Sequence, residues 1–455
     1  MAILCVDFGS TFTKGALLDD DGTLLATAST PTTGTRGRGD ILDGYRALRD
    51  ELAAPAGTQV HACSSAGGGL RLAVVGYERM VTAQAGHRVG LSAGAKVVHV
   101  AAGELGRAET DALRAARPDI ILLVGGTDGG NADVLLHNAA RLAKAAIGGR
   151  GEHAVPVVIA GNVEARGAAA ALLETTGRPL VLADNVLPQI GVIAPDSARS
   201  AIREAFLRHV IGGKRLSRDP AFGRMVEAPT PDAVLRGVEV VAGLGEVGDV
   251  LVIDIGGATT DVYSCITPEG EDATLHKEVV APLWHARTVE GDLGVRWNAA
   301  GVVDAAEAEG LLGTVAEVEA LSAYAARVVV EPAHLPADPL EGQLDLELAR
   351  LAALVAVRRH ARPALPTESP RPLANVTRLI GSGGVLRHAA AADRERVLQA
   401  VLSDRAGGWK VPRRSRATVD TAYLLFAAGL LADCSPDVAV RVAAQIIQTP
   451  PPPAP

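Results

Sequence analysis

The chain contains no CxxC pair. Its four cysteines, Cys5, Cys63, Cys265 and Cys434, stand far apart, so neither a disulfide framework nor a zinc or iron-sulfur spacing is present, and free thiols in a reducing compartment are expected. Positive charge is also short. With 44 basic against 52 acidic residues and a net charge of -8, the chain lacks the cationic footprint that displaces counterions from nucleic acid. No apolar run approaches the roughly 20 residues that span a bilayer, and no basic segment precedes an apolar core at the N-terminus, so a cytoplasmic protein without membrane segments is expected. There is no GxxxxGK[ST], which excludes a P-loop. The one GxGxxG, Gly243-Leu244-Gly245-Glu246-Val247-Gly248, precedes an apolar strand where a dinucleotide fold needs it to follow one, and it reads as a turn. Aromatics make up only 3% of the chain.

What is present is a large apolar fraction, 48% of 455 residues, enough for two or three domains. "AILCVDF" and the two runs on either side of Asp21-Gly22 read as an opening antiparallel sheet, with Asp-Gly as the hairpin turn. From about residue 95, "AKVVHVAAG", "PDIILLVGG", "AVPVVIAGN" and "RPLVLADN" alternate with Ala/Leu-rich helical stretches, the pattern of a parallel α/β unit. Residues 196–218 read as an amphipathic helix bearing Arg199, Arg203, Arg208, Lys214 and Arg215, either a solvated face or a docking face. A Pro-containing linker at Pro229 and Pro231 leads into "GDVLVIDIGGATTDVYSCIT", which repeats the plan of the opening. An Ala-rich helical region covers 298–362; "TRLIGSGGVLRHAA", a helix "TVDTAYLLFAAGLLAD" and a tail with a disordered composition follow. The expected divisions are 1–94, 95–190 as an insertion, 191–246, 247–419, 420–448 and the tail 449–455. Nothing in the sequence speaks to oligomeric state.

Two passages place an aspartate at the end of an apolar strand, ahead of glycines and hydroxyls. They are Asp7-Phe8-Gly9-Ser10-Thr11-Phe12-Thr13 and, 247 residues on, Asp254-Ile255-Gly256-Gly257-Ala258-Thr259-Thr260-Asp261. Glycine allows close backbone approach to a phosphate, and hydroxyls add neutral donors. Carboxylates beside a triphosphate only repel it unless Mg²⁺ and its waters intervene, so metal and nucleotide are expected together. A third glycine loop, Gly381-Ser382-Gly383-Gly384, follows the strand "TRLI".

In order and spacing, this trio resembles the phosphate-1, phosphate-2 and adenosine motifs of the actin, Hsp70 and sugar-kinase ATPase superfamily. The resemblance implies an α/β fold with two actin-like, ribonuclease H-like ATPase domains around a nucleotide cleft, an inserted parallel α/β subdomain in the first, and a terminal helix that packs back onto the first. It implies ATP and Mg²⁺ as cofactors. Asp7 and Asp254 would hold the hydrated metal and orient the attacking group, with Asp261 helping to order metal and water. Gly9, Ser10, Thr11, Thr13 and, by charge, Lys14 would face the β/γ-phosphates from one side. Gly256, Gly257, Thr259 and Thr260 would face them from the other, while Gly381, Gly383 and Gly384 would lie against adenosine. Ala258 stands where many relatives have a third glycine.

"VDFGSTFTK", "LLVGGTDGGN", "VVIAGN", "ADNVLP", "TVEGDLGVRWN" and "IGSGGVLR" together look like the accessory protein of the adenosylcobalamin-dependent glutamate (methylaspartate) mutase operon, the GlmL or MutL family, whose name is shared with an unrelated mismatch-repair protein. That resemblance implies a chaperone-like ATPase serving adenosylcobalamin-dependent mutase subunits by exchanging damaged cofactor, with the insertion as its arm. A DxHxxG-type cobalt-binding loop is absent, and His285 is isolated, so cobalamin is not expected on this chain itself. Glu290 and Asp292 receive no role. The alternatives are a small-molecule kinase of the same superfamily, which the low aromatic content disfavours for a sugar, and an actin-like scaffold. An iron-sulfur activator would need a close cysteine arrangement that Cys63 and Cys265 do not obviously supply.

Overall fold

The structure is a computed structural model that describes residues 2–448, apart from 35–38, 67–69, 79–81, 150, 152–153, 212–215, 268–284, 364–369, 407–410 and 413. Lys214, Arg215 and the tail 449–455 therefore lie outside the described residues. The chain is α/β, with three five-stranded sheets. It divides into two compact units, the first taking Met1–Leu17 and Ala28–Ala233, the second Leu18–Thr27, Val234–Pro268 and the rest of the described chain.

The first sheet contains β1 (Ile3–Phe8), β2 (Phe12–Leu18), β3 (Leu24–Pro31), β4 (Gln59–Ser64) and β10 (Val226–Pro229), in the order β3-β2-β1-β4-β10. β4 runs parallel to β1 and to β10. Every residue of β1 is buried, which is why its sequence, Asp7 apart, is apolar without alternation. The second sheet contains β11 (Val250–Ile255), β12 (Thr260–Cys265), β13 (His285–Glu290), β14 (Arg378–Ser382) and β15 (Arg416–Val419), in the order β13-β12-β11-β14-β15. β12 is antiparallel to β11 and β13, while β14 is parallel to β11 and β15. Counting strands along the chain within each sheet, both read 3-2-1-4-5, the ribonuclease H-like order. The repeated loop motif is thus the local sign of a repeated sheet.

The third sheet is entirely parallel. It contains β5 (Arg71–Gly76), β6 (Lys96–Ala102), β7 (Ile120–Leu123), β8 (Val157–Ile159) and β9 (Leu180–Leu182), in the order β6-β5-β7-β8-β9. This is the flavodoxin-like 2-1-3-4-5 winding. It begins at Arg71, ahead of residue 95 where strand and helix start to alternate visibly in the sequence. Its core joins Ala73, Val75, Ile121, Leu123 and Val157 to Leu113, Leu142 and Leu173 of the covering helices.

Two stretches differ from the sequence reading. The expected linker at Pro229 and Pro231 is strand β10 followed directly by the helix Thr230–Ala242. Proline is compatible with both, ending an edge strand and occupying a first helical turn whose N–H has no intrahelical partner. The segment expected as one helix from Thr418 instead finishes β15 at Val419. The Asp420 carboxylate then accepts from the N–H groups of Leu424 (2.8 Å) and Leu425 (2.9 Å), so the helix starts only at Leu425. The helix Pro436–Gln448 packs on the β2–β3 hairpin tip. Gln445 accepts from Leu24 N–H (3.0 Å) and donates to the Gly22 carbonyl (2.7 Å).

Candidate functional site

In the first unit, Asp7 is the fifth residue of β1 and faces Cys63 of β4 in register. It is 1% exposed. Its Oδ1 accepts from Thr230 Oγ1 at 2.6 Å and from the Cys63 thiol at 3.7 Å. Burial, and then the Asp7 charge, push the Cys63 thiol well above its usual range, so it stays protonated and donates. After Phe8 the chain reverses, and the Gly9 N–H donates to the Phe12 carbonyl at 3.1 Å. A Cβ on Gly9 would lie 2.6 Å from that oxygen, so only glycine makes this turn.

Ser10 is exposed and Thr11 half-buried. Thr13 is fully buried, its Oγ1 is 3.1 Å from that of Thr32, and Thr32 in turn donates to the Gly9 carbonyl at 2.9 Å. Thr13 thus supports the loop from beneath, and Lys14 is half-buried on β2 beyond it.

In the second unit the same turn recurs. Gly256 N–H donates to the Thr259 carbonyl at 2.9 Å, and a Cβ on Gly256 would lie 2.8 Å from that oxygen. Asp254, half-buried on β11, is flanked by Asp261 on β12 and Ser382 on β14. Thr260, the counterpart of Thr13, is likewise buried, donating to the Leu293 carbonyl at 2.7 Å.

Segment 291–298 wraps this loop. Val295 N–H donates to the Gly256 carbonyl (3.1 Å), Arg296 and Trp297 N–H donate to that of Gly257 (2.9 and 2.8 Å), and Asn298 Nδ2 donates to that of Ala258 (2.7 Å). In a trans peptide the carbonyl and the next N–H point in opposite directions. With three successive carbonyls turned to this segment, the N–H groups of Gly257, Ala258 and Thr259 turn away from it together, the arrangement that suits an anion. Ala258 has no positive φ, so alanine there needs no special backbone conformation. The close backbone approach here is made at Gly294, where a Cβ would fall 2.2 Å from the Ala258 carbonyl carbon.

Asp261 has both carboxylate oxygens engaged, Oδ1 by Arg287 Nη2 at 2.8 Å and Oδ2 by Thr259 Oγ1 at 3.1 Å. Burial raises its pKa, opposed by Arg287 and reinforced by the Asp254 charge. The third loop meets the second. Gly383 has φ +105°, and a Cβ on it would lie 2.1 Å from the Ile255 carbonyl oxygen. Gly381 is buried in β14 opposite Ile253, and Gly384 is exposed with open space beside it.

No group of three or more His, Cys, Asp or Glu side chains among the described residues could enclose a metal. A hydrated Mg²⁺ held by one or two carboxylates and by phosphates needs no such cage, so the carboxylate-plus-loop arrangement fits it.

The family model described as MutL protein matches residues 3–447. A curated relative, "Protein MutL" of Clostridium tetanomorphum, is 34% identical over 97% of this chain and 98% of its own length. The chain belongs to the MutL family. Among solved structures, a nucleotide-free acetone carboxylase is 14% identical with a TM-score of 0.38, covering 94% of this chain and 70% of that one. A ROK family glucokinase from Streptomyces griseus, in complex with glucose and AMPPNP, is 13% identical with a TM-score of 0.32, covering 98% and 100%. At these scores the two likenesses carry no functional weight.

Sequence reasoning missed Thr230, Cys63, Arg287 and Asn298, all distant in the chain from the groups they bond. The signal nearest to them was "TVEGDLGVRWN", a MutL motif that had no assigned chemistry. Its Glu290 and Asp292 are both held by Arg359 Nη1, at 2.9 and 2.8 Å, which ties the cradle segment to the helix Pro339–Ala361. In the insertion, the loops "GGTDGG" and "AGN" lie at the carboxyl ends of β7 and β8, and they are stitched together. Asn162 Nδ2 donates to the Gly130 carbonyl (3.0 Å), and Asn185 Nδ2 to the Gly126 carbonyl (3.0 Å) and to Asp128 Oδ1 (2.8 Å). Gly126 has φ +71°, and a Cβ there would meet the Asn131 carbonyl at 2.3 Å; tight turns alone explain this glycine. The basic helix is Asp196–Ala205, continued by a π turn at Phe206–Val210. Its Arg199 and Arg203 both face the buried Asp232, so two charges of the face read as solvated or docking are neutralised within the unit. No helix among the described residues is long and apolar enough to cross a membrane.

Proposed function

We propose that this member of the MutL family binds and hydrolyses MgATP and uses the cycle to remodel adenosylcobalamin-dependent mutase subunits of the glutamate (methylaspartate) type. The observation that supports it most is the pairing of two identical strand-end turns, each behind a carboxylate, on two sheets of the same winding. Gly9, Ser10 and Thr11 on one turn, and Gly256, Gly257 and Thr259 on the other, would offer donors to the β/γ-phosphates. Gly383 and Gly384 would border the adenosine. Asp7 and Asp254 would order Mg²⁺-bound water, and the metal would supply charge neutralisation of the phosphates and a polarised water. Thr13 and Thr260 would serve by holding the turns, and Asp261 by fixing Thr259 while Arg287 balances its charge. Lys14 would add long-range attraction for the phosphates.

Hydrolysis does work on a partner only if the ATP and ADP forms bind it with different affinity. The test is capture of co-expressed cobalamin-dependent mutase subunits in ATP and in ADP, alongside phosphate release measured with a search for phosphorylated small molecules. Nucleotide-dependent capture with free phosphate as the sole phosphoryl product is expected. A stoichiometric phospho-acceptor would instead establish the kinase alternative, and capture that is identical with ATP, ADP and no nucleotide would contradict the remodelling role.

A further inference from the structure

We infer that Thr230 is a positioning residue for Asp7, holding one carboxylate oxygen so that the other faces the glycine turn. This rests on the proposed reading of Asp7 as the residue that orders Mg²⁺-bound water. The two oxygens of Asp7 have different surroundings. Oδ1 takes the Thr230 hydroxyl at 2.6 Å and the Cys63 thiol at 3.7 Å. Oδ2 lies on the turn side, 3.8 Å from where a Cβ on Gly9 would stand. A carboxylate can exchange its oxygens by rotation about one broad torsion, and a hydroxyl bond to one of them opposes that exchange.

Thr230 is itself held at both ends. Pro229, immediately before it, is in register with Ser64 on β4, next to Cys63. Asp232, two residues after it in the same helix, is buried between Arg203 and Arg199. The hydroxyl is thus presented to Asp7 from a strand end and a helix start that are each anchored separately. With Thr230 7% exposed and Asp7 1% exposed, little solvent is at hand to replace a lost bond. Hydrogen bonds to a charged partner are the stronger kind. The thiol is a weak donor and does not substitute for the hydroxyl.

The test uses the full chain and three variants, Thr230→Val, Thr230→Ser and Asp7→Ala. A fluorescent ATP analogue is titrated in EDTA and in Mg²⁺, and ATP turnover is measured in parallel. For Thr230→Val, binding in EDTA should match wild type, the Mg²⁺-dependent gain in affinity should be largely lost, and kcat should fall about 10- to 100-fold with the thermal midpoint retained. Thr230→Ser, which keeps the hydroxyl, should restore both. If Thr230→Val does not fold, Thr230→Ala takes its place against the same serine control. Wild-type Mg²⁺ dependence and turnover in the hydroxyl-free variant, or a loss that serine does not restore, overturn the positioning role. If Asp7→Ala itself retains turnover and Mg²⁺ dependence, the reading of Asp7 fails, a result separable from failure of the Thr230 inference alone.

Discussion

Gly294 lies so close to Ala258 that a Cβ on it would fall 2.2 Å from the Ala258 carbonyl carbon and 2.4 Å from the oxygen. The contact is backbone to backbone, so no side-chain rotation can relieve it. Gly294→Ala is expected to push the second glycine loop out of its cradle and to weaken MgATP binding by at least about tenfold, the effect of a displacement near 1 Å on a preorganised site. Ala258→Gly should leave binding within a factor of about three. Calorimetric titration with MgATP distinguishes the two, and equal affinity for both variants would show that the cradle does not set the loop.

Asn298 closes the same cradle, its Nδ2 bonded to the Ala258 and Gly291 carbonyls at 2.7 and 2.9 Å. Asn298→Ala strands both acceptors and should cost about 1–3 kcal/mol of stability in urea melts. Asn298→Asp should do worse, since a carboxylate oxygen would then face two carbonyls. An aspartate variant as stable as wild type would refute this assignment of the amide.

How much of this was legible in the sequence follows from range. Gly9 and Gly256 are demanded by bonds to Phe12 and Thr259, three residues away, and local patterning finds such residues. The duplicated strand order was legible because apolar run, acid and glycine turn recur together. Thr230 was hidden because the prolines on either side of it mimic a linker, although one ends an edge strand and the other enters a first helical turn. Arg287 and Asn298 were hidden because their partners come from register between strands and from a wrapping loop, and neither leaves a period in the sequence. The charge on Arg199 and Arg203 read as solvated or docking because Asp232, about thirty residues on, carries no local sign that it turns inward.

Gly383 combines φ +105° with a Cβ position 2.1 Å from the Ile255 carbonyl. Gly383→Ala meets backbone strain and a backbone clash at once, of the order of 1–3 kcal/mol for the strain alone. A lower thermal midpoint and impaired ATP binding are expected, whereas Gly384→Ala, with open space around it, should leave the midpoint unchanged. A reversed ranking of the two variants would contradict the packing of the third loop against β11.

His360 is fully buried, its Nδ1 2.9 Å from Thr288 Oγ1 and its Nε2 2.9 Å from Ser264 Oγ. Burial, and then the nearby Arg371 charge, lower its pKa well below the usual 6.5. The unfolded chain therefore takes up a proton as pH falls through 6.5 while the folded chain does not, so stability decreases below that point, by up to about 1.4 kcal/mol per pH unit from this group. Above pH 6.5 both states are neutral and the group contributes no slope. Denaturation between pH 7.5 and 5 should show this loss, and His360→Gln, though less stable overall, should show a shallower slope. An unchanged slope in the variant would exclude His360 as its source.

On the proposed reading, Asp7 and Asp254 belong to the hydrolytic machinery. ATP turnover by wild type, Asp7→Asn and Asp254→Asn, with circular dichroism to establish folding, tests it most directly. Mg²⁺-dependent phosphate release by the wild type is expected, with at least a hundredfold loss, roughly 3 kcal/mol of transition-state stabilisation, in each folded variant. Turnover at the wild-type rate in both variants, or folded wild type that neither binds nor hydrolyses MgATP, would contradict it.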